Sequence, residues 1–288
     1  MRIVRTVAEM KGASREHRER GERIGLVPTM GYLHEGHLSL IRECRAKTDV
    51  TVVSVFVNPA QFGPKEDLRS YPRDLDRDAV LLEREGVDTV FHPEPSDMYP
   101  EGYRTYVEVE DLQDKLCGRS RPGHFRGVCT VVLKLFNIVR PDVAFFGWKD
   151  AQQVLILRKM AADLDLDVRI EALPVVRDAD GLALSSRNSY LSAEERKAAL
   201  VLSRSLEEAG RMFGAGEMDA GVIAGRIRET VAGQPLARLD YVEIVDPGTL
   251  RPLGLIDREA LVAMAVFIGR TRLIDNVRLA PAGKEIHE

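Results

Sequence analysis

The stretch Thr51-Val52-Val53-Ser54-Val55-Phe56-Val57 constrains the fold most. It is β-branched and apolar on both faces, which suits a central strand of a parallel sheet covered from both sides. It stops at Asn58-Pro59, so a loop follows at its carboxyl end. A parallel strand needs crossover connections, usually helices, and the flanking segments read that way. Arg23–Val27 reads as a buried strand, 36–47 as a helix, Asp74–Glu85 as a helix stopped by Gly86, and Val87–Phe91 as a strand. Further on come a helix at Val128–Val139 that stops before Pro141, a strand at Asp142–Phe146, a helix at 150–163 and a strand at Val168–Leu173. Residues 6–20 read as a polar helix ending at Gly21, and Thr105–Val109 alternates as a short edge strand would.

Strands alternating with helices predict an α/β fold, a Rossmann-like doubly wound parallel sheet. The pattern changes after Arg177, where Asp178-Ala179-Asp180-Gly181 is turn-rich. Ser192-Ala193-Glu194-Glu195 has the capping-box form and opens a long helix. A second helix over 220–231 precedes strand-like runs at Asp240–Val245, Leu261–Phe267 and Thr271–Val277. Helices followed by strands predict a smaller α+β C-terminal domain, so the expected domains are 1–176 and 177–288.

Net charge is −4, from 41 Lys+Arg against 45 Asp+Glu, which argues against a broad nucleic-acid partner. The three cysteines, Cys44, Cys117 and Cys129, form no Cys-x-x-Cys pair, as expected of a reduced, cytoplasmic protein. The chain has no apolar run long enough to span a bilayer, and Met1-Arg2-Ile3-Val4-Arg5 does not open a signal peptide.

In doubly wound sheets, ligands collect beyond the carboxyl ends of the strands. Four marked segments are predicted to fall there: His34–His37, Asn58–Phe62, Gly147–Asp150 and the residues after Val176. In Met30-Gly31-Tyr32-Leu33-His34-Glu35-Gly36-His37, two histidines three apart stand where a strand hands over to a helix. A helix start offers free backbone N–H groups and the positive end of the dipole, so it suits an anion. On spacing alone, a metal pair and two surface histidines stay open beside phosphate binding.

The stretch Val27-Pro28-Thr29-Met30-Gly31-Tyr32-Leu33-His34-Glu35-Gly36-His37 resembles the His-x-Gly-His signature of the pantoate–β-alanine ligase (pantothenate synthetase) family of nucleotidyltransferases. Phe56–Phe62, Tyr71-Pro72-Arg73, Arg121–Gly127, Phe146–Gln153 and Asp180–Asn188 match the same family in its order. The resemblance implies an ATP-dependent ligase that condenses pantoate with β-alanine through a pantoyl adenylate, releasing pyrophosphate and AMP. It implies that residues 1–176 bind nucleotide and pantoate, that 177–288 close over the active site, and that the enzyme is a cytoplasmic homodimer.

The resemblance also assigns roles. His37 and His34 are the catalytic pair. ATP is held by Pro28, Met30, Gly31, Tyr32, Leu33, His34, Glu35, Gly36 and His37, then by Gly147, Trp148, Lys149 and Asp150, by Val176, and by Leu184, Ser185, Ser186 and Arg187. Gln61, Gln153 and Asn58 bind pantoate and β-alanine. A neutral amide can bond a hydroxyl or carboxylate without adding net charge. Mg²⁺ comes with ATP, and Asp78 is the candidate to position it. Trp148, the only tryptophan, departs from the family's usual Glu and is expected to point away from the phosphates or to cover the adenosine. Two competing readings are a nucleotidyltransferase that stops at the adenylated product and a nucleotide-sensing module. The first would lack Asn58, Gln61 and Gln153, and the second would have a damaged donor set.

Overall fold

A computed structural model describes residues 1–64 and 66–281. The chain forms two compact units. One comprises Met1–Gln113, Arg121–Trp148 and Ile156–Pro174; the other comprises Asp114–Ser120, Lys149–Leu155 and Val175–Glu288.

In chain order the elements begin with β1 (Arg2–Val4), α1 (Val7–Glu19), β2 (Ile24–Thr29), α2 (Glu35–Lys47) and β3 (Val50–Val55). After a 3₁₀ turn at Pro59–Gln61 come α3 (Leu75–Arg84), β4 (Thr89–Phe91), α4 (Pro95–Met98), α5 (Cys117–Ser120) and α6 (His124–Val139). Then follow β5 (Val143–Gly147), α7 (Ala151–Asp163) and β6 (Arg169–Leu173).

The first unit holds a six-stranded sheet in the order β1-β4-β3-β2-β5-β6, with every pairing parallel. All six residues of β3 are buried, as its two apolar faces require. The chain winds from β2 through β3 to β4 on one side, and from β5 to β6 on the other. The switch point therefore lies at the carboxyl ends of β2 and β5, where Thr29 and Gly147 stand. Aspartates close the opposite edge. Asp88 accepts from Thr51 N at 2.8 Å and Asp142 from Ile24 N at 2.7 Å, so two strand starts bury no orphan amide. Val27, Leu33, Ile41, Val53, Val90 and Phe145 lie in one core cluster of this unit.

Two expectations fail. The sheet has an edge strand, β1, that the sequence reading missed: it is three residues long, and two of them are exposed. Thr105–Val109 is not a strand. There the Val107 N–H donates to the Thr130 hydroxyl at 3.0 Å, so a side chain takes the place of a ladder partner.

In the second unit α8 (Ala193–Gly214) and α9 (Ala220–Ala232) precede β7 (Ala237–Val245), β8 (Ala260–Ile268) and β9 (Thr271–Leu279). The strands form one antiparallel sheet, β7-β8-β9. Leu202, Leu206, Ile223, Ile227, Val262 and Met264 are among its core. The predicted capping box starts α8: Ser192 Oγ accepts from Glu195 N at 3.2 Å, and the Glu195 carboxylate accepts from Ser192 N at 2.8 Å. No helix among the described residues is long and apolar enough to cross a membrane.

Candidate active site

The turn after β2 is built by strain and long-range anchoring. Pro28 lies beyond Gly25 and Leu26, the two residues at which β2 pairs with β5, so its missing N–H costs that pairing nothing. Gly31 has φ +81° and Tyr32 has φ +51°, a left-handed pair that reverses the chain. A conformation this unusual persists only when its surroundings hold it. Asp78 of α3 does so. Its Oδ2 accepts from Tyr32 N at 2.6 Å and its Oδ1 from Leu33 N at 2.8 Å. Arg77 donates to Leu33 O at 2.8 Å, and its guanidinium lies 4.9 Å from the centre of the Tyr32 ring.

Asp78 is fully buried and not solvated. Burial raises its pKa, opposed by those two backbone hydrogen bonds. The metal-positioning role expected of Asp78 gains no support here, because each of its oxygens already serves a loop amide. Among the described residues no cluster of three or more His, Cys, Asp or Glu side chains could hold a metal.

His34 is the N-cap of α2, and Glu35, Gly36 and His37 form its first turn. His37 Nδ1 accepts from the His34 backbone N–H at 3.3 Å, and the two rings sit 4.0 Å apart. An Nδ1 that accepts leaves the proton of a neutral ring on Nε2, so His37 offers an N–H donor.

Beyond β3, Asn58 and Gln61 come together. Asn58 is 1% exposed and Gln61 8%. Asn58 was expected to contact substrate, but protein groups take all its amide valences. Its Oδ1 accepts from Ala60 N and Tyr99 OH, and its Nδ2 donates to Gly127 O and Gln61 Oε1. A Cβ on Gly127 would stand 2.2 Å from Ala60 O, so only glycine lets α6 approach the turn this closely. Arg121 donates to His124 Nε2 at 3.0 Å, which leaves His124 Nδ1–H to donate to Gln61 O at 2.8 Å. Arg121 itself is paired with Glu66.

Gly147 ends β5, and Trp148 follows it, 9% exposed, with the Arg158 guanidinium 5.9 Å from its ring centre.

The second unit carries the remaining candidates. Asn276 Nδ2 donates to Lys149 O at 3.0 Å, and the Lys149 ammonium lies 3.8 Å from the half-exposed Asp150 carboxylate. Lys149, Ser185 and Asn188 line one small cavity together with Asp275. The adjacent glutamines differ. Gln152 is buried and spent on the backbone, accepting from Cys117 N and donating to Lys115 O, whereas Gln153 is half-buried. The carbonyl of Val176 accepts from Leu184 N at 3.0 Å, which ties two predicted nucleotide residues together. Ser185 caps the short 3₁₀ helix Ser186–Tyr190, its Oγ accepting from Arg187 N at 3.3 Å. Ser186 is buried, whereas Leu184 and Arg187 are half-buried. Arg177 donates to Gly181 O and makes a bidentate pair, at 2.7 and 2.9 Å, with the buried Asp275, which lines the same cavity as Ser185.

Sequence reasoning gave no role to Tyr99, Arg121, His124 or the loop-anchoring carboxylate of Asp78. Arg121 and His124 lie in the Arg121–Gly127 motif, so the sequence carries a signal for them. Tyr99 is remote in sequence from Asn58, and nothing local marked it.

The Pantoate-beta-alanine ligase family model matches residues 2–278. The pantothenate synthetase of Pelotomaculum thermopropionicum is 58% identical over 279 residues, covering 97% of this chain and 99% of that protein. That of Thermotoga neapolitana is 57% identical over 279 residues, covering 97% and 100%. The crystal structure of pantothenate synthetase from Thermus thermophilus superposes with a TM-score of 0.93 at 47% identity, covering 98% of this chain and 100% of that one. The pantoate-beta-alanine ligase of Francisella tularensis, complexed with β-γ ATP and β-alanine, gives a TM-score of 0.80 at 33% identity, covering 96% and 97%.

Proposed function

This chain belongs to the pantoate-beta-alanine ligase family, and on that premise we propose that it joins pantoate to β-alanine at the expense of ATP, by way of a pantoyl adenylate. The observation that carries the reading is the turn from Met30 to His37. It presents a helix N-terminus together with a ring donor, His37 Nε2–H, whose orientation the His34 amide fixes.

Pantoate's carboxylate attacks the α-phosphorus of ATP, and pyrophosphate leaves. Two anions meet in that step, so fixed donors must offset their repulsion. Pro28 and the 30–37 turn hold the nucleotide, His37 donates to a phosphate oxygen and His34 supports it. Gly147, Trp148, Lys149, Asp150 and the Val176 backbone hold adenosine and phosphate. Leu184, Ser185, Ser186 and Arg187 grip the departing pyrophosphate; two hydroxyls and a guanidinium suit a polyphosphate. Gln61 and Gln153 hold pantoate, with Gln61 also near β-alanine.

The amine of β-alanine then attacks the acyl carbon. The acyl C–O bond breaks, and AMP leaves carrying that oxygen. Residues 177–288 form the domain that closes over the intermediate and keeps water from it. Mg²⁺ enters on the phosphates of ATP, since an ion held by phosphate oxygens and water needs no protein cage. The enzyme works as a homodimer in the cytoplasm.

The adenylate is tested with pantoate carrying ¹⁸O in its carboxylate. One ¹⁸O per turnover in the AMP is expected. Label found only in pantothenate excludes the adenylate.

A further inference from the structure

The two ends of a glutamine amide have opposite hydrogen-bonding sense, so the orientation of Gln61 decides what it can recognise. Backbone groups fix that orientation from outside. Ala60 N–H can only donate, and it reaches Asn58 Oδ1 at 3.3 Å. Gly127 C=O can only accept, and it takes a hydrogen from Asn58 Nδ2 at 3.1 Å. Between them they leave Asn58 a single orientation. Its oxygen has a second lone pair, to which Tyr99 OH donates at 2.8 Å. Its second hydrogen goes to Gln61 Oε1 at 3.0 Å. Gln61 is therefore left with Nε2 as its remaining group, one hydrogen of which goes to Met30 Sδ at 3.2 Å.

We propose that Tyr99 is a positioning residue for the acid substrate: by donating to Asn58 it locks in place the Asn58–Gln61 pair whose orientation the backbone sets, so that the second hydrogen of the Gln61 NH₂ recognises an oxygen acceptor, a carboxylate or hydroxyl. The identity of the acid as pantoate rests on the function proposed above; the relay does not. Tyr99 is suited to the task. Its ring packs edge-on to Tyr103 at 5.1 Å and stands 6.5 Å from Phe56, which fixes the hydroxyl. Burial holds its pKa above the ordinary tyrosine value, so it stays a protonated donor at neutral pH. Asn58, at 1% exposure, has no access to water as a substitute partner.

Tyr99→Phe removes one hydroxyl and keeps the ring packing. Loss of one buried hydrogen bond is expected to lower kcat/KM for pantoate about five- to tenfold, with KM for ATP unchanged. In a Gln61→Ala background the same substitution adds nothing further, because the relay ends at Gln61. Tyr103→Phe, in the same aromatic cluster, leaves kcat/KM for pantoate at the wild-type value. Unchanged kcat/KM in Tyr99→Phe, or an equal loss in both backgrounds, overturns the relay. The side-chain NH₂ protons of Asn58 in ligand-free protein give a second readout: they are protected from exchange in wild type and lose protection in Tyr99→Phe. Wild-type protein that protects them yet binds no pantoate removes the proposed acid and leaves the relay; unprotected protons in wild type remove the relay.

Discussion

The two turns proposed to hold phosphate are built in different ways. The turn from Met30 to His37 carries backbone strain at Gly31 and Tyr32, and a carboxylate about one crossover away in the chain, Asp78, holds it. The turn at Leu184–Arg187 has unstrained dihedrals and closes on itself. Ser185 caps Arg187, and Asn188 Nδ2 donates to Ala183 O at 3.0 Å. Near it Arg177 donates to Gly181 O at 3.1 Å and pairs with the buried Asp275. A strained turn held by neighbours is prearranged and stiff, whereas a turn closed by local bonds can move as one piece. The first suits atoms that must meet the α-phosphorus in one geometry, and the second suits a leaving group that must be gripped and released.

Breaking the buried ion pair of the second unit has the largest expected effect. Arg177→Met leaves the buried Asp275 carboxylate without its cation and is expected to cost about 3–5 kcal/mol of stability. Urea unfolding checks this, and a loss below about 1 kcal/mol would show that the pair behaves as a solvent-screened one.

His37→Ala comes next. It is expected to slow pyrophosphate–ATP exchange about 10²–10³-fold, equivalent to roughly 3–4 kcal/mol of transition-state stabilisation. Because the His34 amide loses its Nδ1 acceptor, about 1 kcal/mol of stability should go as well. Near-normal exchange would refute the role given to His37.

Asp78→Ala orphans the Tyr32 and Leu33 amides, and about 2–3 kcal/mol of stability is expected to go with them. KM for ATP should rise as well. A variant that loses stability with ATP binding intact would separate the anchor from the site.

The smallest effect is a null. Burial pushes the Cys129 thiol up to about 12, and it raises Cys44 as well. Neither thiol should react with iodoacetamide in native protein near pH 8, since the thiolate is the nucleophile. Fast labelling at either would mean that the first unit opens readily.

These contrasts also explain what could be read in advance. The parallel sheet was legible because its strands are continuous apolar runs, and α8 because its capping box is a local signal. The histidine turn was legible as a motif. Its support was not, because it comes from Asp78, which accepts from the Tyr32 and Leu33 amides; the Tyr99–Asn58 bond behind Gln61 is equally remote in sequence. Such bonds join residues tens of positions apart and leave no periodicity. β1 was missed because three residues with two of them exposed give no burial pattern. Thr105–Val109 was misread because alternation alone does not say whether a neighbouring strand is there to pair with it. Asn58 was assigned to substrate because its type and place fit; only the geometry shows that its amide is already spent on Gln61, Gly127, Ala60 and Tyr99.

The most direct measurement incubates the purified protein with ATP, Mg²⁺ and pantoate, with and without β-alanine, and follows AMP and pantothenate. AMP and pantothenate should accumulate together, one for one, only when β-alanine is present. No AMP with all substrates supplied would contradict a ligase acting through pantoyl adenylate, and AMP that accumulates without β-alanine would contradict the shielding of that adenylate from water.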